Sequence, residues 1–275
     1  MKCKTYYRSD FNSNKDYYSA RRNYKENYNI TLKDKSFTVF FPESNTLTNN
    51  YKVAVLLTGH VRGYLKCYKN LHNFIRCIYG ENSKIDYYLH TWSTTNYDSY
   101  GQDTSVTKTD IDAIKSMYNP VSIEIENQEN HCIIPILSRP ISINHQLYAW
   151  KKLYNNIPNI QEYDYVVKTR FDININIEEC LINQLCTIIS NKNSFLFETL
   201  PHGACDIFIV STGSKMKNFF DIATDEVKLK QFLKSKNYQE KRNQKPERFI
   251  FKLLQSIDED YCSISFKRYL SIHHE

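Results

Sequence analysis

Two hydrophobic periods alternate along most of this chain. Residues 53–57 (VAVLL) form an unbroken apolar run, the pattern of a strand covered on both faces. Residues 58–63 (TGHVRG) carry its turn. From 65 to 79, Leu71, Phe74, Ile75 and Ile78 recur at helical spacing on one face. Residues 85–90 (IDYYLH) predict a second strand, and 110–118 a short helix closed by Asn119-Pro120. Residues 121–125 alternate like a third strand. Ser142 is the expected N-cap of a helix that runs to about residue 157, with Ile143, Leu147, Trp150 and Tyr154 on one stripe and Pro158 ending it. A strand follows at 165–167, then a helix or loop near 177–189. Strands are expected at 195–197 and 206–210, and helices at 214–222 and 247–256. The interval 228–248 reads as basic and exposed.

Strands separated by helices predict an α/β fold with a mostly parallel central sheet flanked by helices. One domain over residues 51–275 is the economical division, and no internal repeat breaks it. Residues 1–50 read as a polar N-terminal extension, rich in Tyr, Asn, Lys and Ser. Its one strand-like run, 36–41 (SFTVFF), is expected to pair at a sheet edge.

Composition narrows the class. The 275 residues are 41% hydrophobic and 24% charged, as in a soluble globular protein able to bury one large core. The longest apolar runs are far too short to span a bilayer, and the N-terminus has no apolar stretch of the secretory kind, so a cytoplasmic protein is expected. Eight cysteines form no CxxC pair and read as reduced thiols. The formal charge of +6 suits an anionic ligand but is too diffuse to argue for nucleic acid. Plentiful Asn, Lys, Ile and Tyr match AT-rich coding, which accounts for part of that charge.

Two stretches carry candidate chemistry. With only six glycines in the chain, Gly59 and Gly63 around one turn stand out, because His60 and Arg62 share the loop and a helix N-terminus follows. Exposed backbone N–H groups and a guanidinium make a phosphate cradle, although an ordinary strand-to-helix turn has the same composition. The spacing is neither that of a Walker loop nor G-x-G-x-x-G. The second stretch, 163–173 (YDYVVKTRFDI), ends a strand in Lys168, Thr169, Arg170 and Asp172. In open α/β sheets, strand ends line the ligand crevice.

Taken in order, VAVLLTGHVRGY (53–64), IDYYLHTW (85–92) and YDYVVKTRFDI (163–173) resemble small glycosyltransferases of bacterial surface-polysaccharide clusters and large DNA viruses. A fourth block, HGACDIF (202–208), resembles the Asp-x-Phe strand of that family. The likeness covers roughly residues 52–220. It implies a single GT-A-like (Rossmann-like) domain that moves a sugar from a nucleotide-sugar co-substrate to a glycan, glycoconjugate or other hydroxyl acceptor, in the cytoplasm, or the host cytoplasm for a viral chain. Many GT-A enzymes hold Mn2+ or Mg2+ on the diphosphate through Asp-x-Asp. Here Arg170-Phe171-Asp172 takes its place, so metal use is left open. Other implied partners are few: no membrane span and no nucleic acid are expected.

The roles that follow each have a plainer counterpart. Arg62 is a candidate for the donor phosphates or a surface Arg at a helix start, and His60 for the nucleotide or a turn cap. Asp172 is the leading candidate, as metal ligand, ribose or diphosphate contact, or catalytic carboxylate; its alternative is a cap or an ion pair with Arg170 or Lys168. Arg170 is a candidate to neutralise the leaving diphosphate. His90, Thr91 and Trp92 end a strand on the same sheet edge, where Trp92 stacks on a ligand or simply fills core. Asp206 is the candidate general base, or a turn residue. Gln146 faces the cleft or solvent. Competing functions are another nucleotide-dependent transferase and a non-catalytic glycan- or nucleic-acid-binding module.

Overall fold

The computed structural model describes residues 2–7, 9, 13, 17–18, 29–33, 36–41, 50–94, 105–128, 141–190, 195–200, 203–235, 246–257, 262–264 and 270–272. Strands β1 (Lys2–Tyr7), β2 (Asn29–Lys33) and β3 (Ser36–Phe41) come first. Then β4 (Lys52–Thr58), α1 (Tyr64–Tyr79), β5 (Lys84–Trp92), α2 (Lys108–Tyr118) and β6 (Ser122–Glu126) alternate. They are followed by α3 (Ile141–Asn155), β7 (Tyr165–Arg170), β8 (Ile173–Ile175) and α4 (Glu179–Ser190). The chain continues with β9 (Leu196–Leu200), β10 (Gly203–Ser211), α5 (Gly213–Ala223) and α6 (Glu226–Ser235). The last elements are α7 (Pro246–Ile257), β11 (Cys262–Ile264) and β12 (Leu270–Ile272).

Seven strands form the central sheet in the order β11-β9-β10-β7-β4-β5-β6. Only β10 opposes its neighbours; every other pairing is parallel. The sheet is therefore mostly parallel, as the alternation of strands and helices predicts. Its two faces explain the unbroken apolar runs. Val53, Val55 and Leu57 pack with Phe74, Ile75 and Ile78 of α1, Ile114 of α2 and Leu181 of α4. Ala54, Leu56 and Val166 meet Trp150 of α3, Phe219 of α5 and Leu253 of α7 on the other face. Each such buried aliphatic or aromatic side chain contributes about 1.5–3 kcal/mol. Among the described residues, no helix is long and apolar enough to cross a membrane.

The structure departs from the sequence pattern in four places. β3 pairs with β1 and β2 in a separate three-stranded antiparallel sheet, not at an edge of the central one. α3 starts at Ile141, so Ser142 lies inside its first turn and is not the N-cap; the side chains of Ser142 and Ile143 lie outside the described residues. β7 continues through the charged cluster, with Lys168 and Thr169 buried. The basic interval contains α6, which buries Leu229 and Phe232 and leaves its lysines outward. In each case tertiary pairing or burial overrode a local signal.

One close approach ties the helical face to the sheet. A Cβ on Gly213, at the start of α5, would lie 2.1 Å from the Ile160 carbonyl oxygen and 2.6 Å from that of Tyr163. The Gly213 N–H also donates to the Tyr163 carbonyl at 3.2 Å. Gly213→Ala must push α5 off the turn that leads into β7. The expected loss is about 1–3 kcal/mol, as for other overpacked sites, read as a fall of several degrees in the thermal unfolding midpoint; an unchanged midpoint would show that the contact is absent.

Candidate functional site

Parallel pairing brings the ends of four strands into one row. Thr58 of β4 lies opposite His90 of β5 and Arg170 of β7, and His90 lies opposite Glu124 of β6. Residues paired in this way point to the same face. The row from Glu124 to Arg170 spans three strand spacings, about 14 Å. β10 runs the other way, so its first residues reach the same edge. Asp206 lies three positions before Ile209, which pairs with Lys168; the Asp206 side chain lies outside the described residues.

At the β4–β7 end the two candidate loops meet. Gly59 has φ +106° and Gly63 φ 68°, the left-handed region that glycine occupies without a Cβ penalty. These two glycines let the loop turn sharply into α1 and carry Arg62 toward the end of β7. Arg62 Nε donates to Asp172 Oδ2 at 2.6 Å, although the two residues lie 110 positions apart. Arg170 donates from Nε to Asp172 Oδ1 at 2.9 Å and from its terminal nitrogen to Oδ2 at 2.6 Å. Asp172 is 1% exposed, while Arg62 and Arg170 keep 11% and 23%. Asn70 of α1 holds the following strand from both sides, donating to the Ile175 carbonyl at 2.7 Å and accepting from the Ile175 N–H at 2.6 Å.

This geometry decides two points of chemistry. Both oxygens of Asp172 already accept from guanidiniums, so a divalent ion there would have to displace a cation or sit beside two. The Arg170-Phe171-Asp172 donor set does not fit the metal role of Asp-x-Asp. Within the triad two positive groups face one negative group, leaving net positive charge. α1 starts at the same place, with no acidic residue in its first turn and no side-chain cap, so its N-terminal dipole adds to that charge. Lys168 is buried, its Nζ 5.1 Å from the centre of the Trp150 ring.

His60 is a tether. Its Nδ1 lies 2.9 Å from the Thr94 carbonyl oxygen and donates to it, joining the β4 loop to the chain after β5. His90, Thr91 and Trp92 are buried. Trp92 stacks on Tyr148 of α3 and meets His145 edge-on, which is the packing alternative for that residue. Gln146 is half-buried on the same helix.

At the β5–β6 end lies a second cluster that the sequence pattern did not single out. His90 Nε2 is 2.9 Å from Glu126 Oε2, and Lys152 Nζ is 2.9 Å from Glu126 Oε1 and 3.8 Å from Glu124 Oε2. Tyr148 donates to Glu126 Oε1 at 3.2 Å. Burial pushes the His90 imidazole below its usual range and outweighs the pull of Glu126, so it is neutral at pH 7. Burial acts to raise Glu126, but its bonds to His90 and Lys152 outweigh that and hold it lower than usual. Glu126 in turn lifts Lys152 to about 12. The signal available in the sequence was the alternation Ser-Ile-Glu-Ile-Glu, which puts Glu124 and Glu126 on one face of β6. A shallow hollow lined by Tyr165, Ile189, Leu196, Val210 and Thr212 lies at the opposite end of the sheet, where β7 begins.

No protein-family model matches the sequence, and no curated protein matches it. Solved structures share a general likeness. Mouse xyloside xylosyltransferase 1 matches with a TM-score of 0.41 and 7% identity over 78% of this chain and 85% of that one. The glycosyltransferase GlyE of Streptococcus pneumoniae TIGR4 matches with a TM-score of 0.37 and 12% identity, over 78% of this chain and 45% of GlyE. S. aureus TarS matches with a TM-score of 0.40 and 12% identity, over 80% of this chain and 36% of TarS. Likeness at this level carries no functional weight, and the reading below rests on the residues.

The triad sets its own test. Asp172→Ala leaves two guanidiniums without their buried carboxylate, and breaking a buried pair costs about 3–5 kcal/mol. Denaturant unfolding should show that loss. A variant as stable as the parent would mean that the triad does not hold the two loops together.

Proposed function

We propose that the chain is a glycosyltransferase that moves a sugar from a nucleotide-sugar donor to a hydroxyl acceptor on a glycan or glycoconjugate. The observation that carries this reading is the Arg62–Asp172–Arg170 triad, set at the C-terminal edge of a parallel sheet beside a helix N-terminus. A nucleoside diphosphate is the ligand class that such a concentration of fixed positive charge suits. The resemblance of the sequence blocks narrows the ligand to a sugar nucleotide.

In the proposed reaction the acceptor oxygen bonds to the anomeric carbon while the bond from that carbon to the phosphate oxygen breaks. The electron pair leaves with the nucleoside diphosphate. Arg62 and Arg170 stabilise the charge that grows there, preorganised by Asp172 so that little reorganisation is needed as it develops. Asp172 thus acts as a positioning residue, in place of the metal-ligand role expected from Asp-x-Asp. Asp206 is the proposed base that takes the acceptor proton, because its strand begins at the same edge. His60 fixes the loop that presents Arg62. His90, Thr91 and Trp92 shape the neighbouring strand end from within. The reaction belongs in the cytoplasm, in polysaccharide assembly.

A thermal-shift screen of the full chain against UDP-, GDP-, dTDP- and CMP-sugars tests this reading. One nucleotide family should raise the unfolding midpoint, by an amount that corresponds to about 2.7 kcal/mol at a hundredfold excess over Kd. The shift should be the same with and without Mg2+, and it should shrink in Arg62→Gln and Arg170→Gln. Incubation with the stabilising donor and an acceptor should release the nucleoside diphosphate. Silence across the panel would remove the sugar-transfer reading, and a shift that appears only with Mg2+ would remove the guanidinium role.

A further inference from the structure

The cluster at the β5–β6 end has features the proposed reaction does not use. A ring nitrogen of His90 and one carboxylate oxygen each from Glu124 and Glu126 lie within 4.8 Å of one another. The imidazole is fully buried, and its Nδ1 has no hydrogen-bond partner among the described residues. Glu124 Oε2 is also buried without a hydrogen bond. The buried imidazole bonds Glu126 and lies close to Glu124, and two polar atoms of the cluster have no hydrogen bond among the described residues. Buried polar atoms in that state are destabilising unless something meets them.

Among the described residues, the cation paired with both carboxylates is Lys152. Its ammonium bonds Glu126 but stays 3.8 Å from Glu124, so it satisfies one carboxylate and only approaches the other. Lys152 is 32% exposed, and its stem reaches the cluster past the face of Tyr148, with Nζ 5.5 Å from the ring centre. A lysine so placed can swing into solvent without disturbing the core, leaving one imidazole and two carboxylates around a space that opens outward.

We propose that His90, Glu124 and Glu126 form a binding site for a divalent transition-metal ion, with Zn2+ the ion the donor set favours, and that Lys152 occupies this site as a competing cation. One imidazole nitrogen and two carboxylate oxygens are borderline donors that bind Zn2+ at about 2.0–2.2 Å. The imidazole disfavours Mg2+ and Ca2+, which take oxygen ligands. The ion enters as Lys152 leaves, and the neutral His90 ring keeps its one proton on the nitrogen opposite the one that takes the metal, so the imidazole releases none. The strand register holds the three ligands: His90 pairs with Glu124, and Glu126 lies two residues on, on the same face. This site is separate from the Arg62–Asp172–Arg170 triad and does not depend on the sugar-transfer reading.

Isothermal titration of the full chain with ZnCl2, paired with unfolding midpoints, tests the proposal. The parent should bind one equivalent at this site, and Zn2+ but not Mg2+ should raise its midpoint. Lys152→Met should bind about tenfold more tightly, because one competing ion pair is gone. Glu124→Gln changes a partly exposed side chain, so it should stay folded and lose this equivalent; His90→Gln should lose it as well. Co2+ in place of Zn2+ should give a visible spectrum without a thiolate charge-transfer band. Zn2+ binding of unchanged stoichiometry and affinity in Glu124→Gln, or no gain in Lys152→Met, would overturn the proposal.

Discussion

A carboxylate with almost no exposed surface, held by guanidiniums from a loop and a strand end, organises the candidate site. Burying Asp172 alone would be very costly. It is tolerable because each oxygen accepts a short charge-assisted bond, three in all, from Arg62 and Arg170. The dependence runs both ways. Arg62 lies on a loop shaped by two left-handed glycines, and Arg170 is the last residue of a strand. Without a shared anion the two guanidiniums would repel each other. The carboxylate turns that repulsion into a fixed pair at the sheet edge.

The parallel sheet gives the anchor its reach. Thr58, His90, Glu124 and Arg170 stand in one row because β4, β5, β6 and β7 run the same way in register. The row is polarised. Two guanidiniums and a helix N-terminus make its β4–β7 end positive. At the β5–β6 end, among the described residues, two carboxylates and one ammonium surround an imidazole that burial keeps neutral. In the two proposals an anionic ligand takes one end and a cation the other. The aromatic packing of Trp92 and Tyr148 lies behind the second end and fixes where the strand stops.

Much of the framework was legible because burial writes itself into the sequence as a period. Residues 53–57 could only be a strand covered on both faces, and the stripe Leu71, Phe74, Ile75, Ile78 only a helix against it. What could not be read was pairing over distance. That Asp172 meets Arg62, 110 positions away, depends on strand order, which no local pattern encodes. Lys168 and Thr169 looked like the end of β7 because charge usually marks exposure, yet the strand carries both into the interior. α6 was hidden by its lysines, which interleave with Val227, Leu229, Phe232 and Leu233 and leave only Leu229 and Phe232 to be buried. Glu124 and Glu126 were visible as an alternation, but their meaning depended on Lys152 and His90 arriving from other elements.

In the proposed reaction, Arg170 in the place of the first acid of Asp-x-Asp exchanges one way of neutralising phosphate for another. A divalent metal brings two charges and needs carboxylates to hold it. A guanidinium brings one charge, already attached to the backbone, and needs a carboxylate only to fix its direction. Once Arg170 occupies the first position, the remaining acid is more useful as an anchor than as a ligand, and a second guanidinium is needed to make up the charge. Arg62 fills that place from the neighbouring strand. The single substitution thus draws in the rest of the arrangement: the buried position of Asp172, the two glycines that aim the Arg62 loop, and the His60 tether that holds the loop to the chain beyond β5.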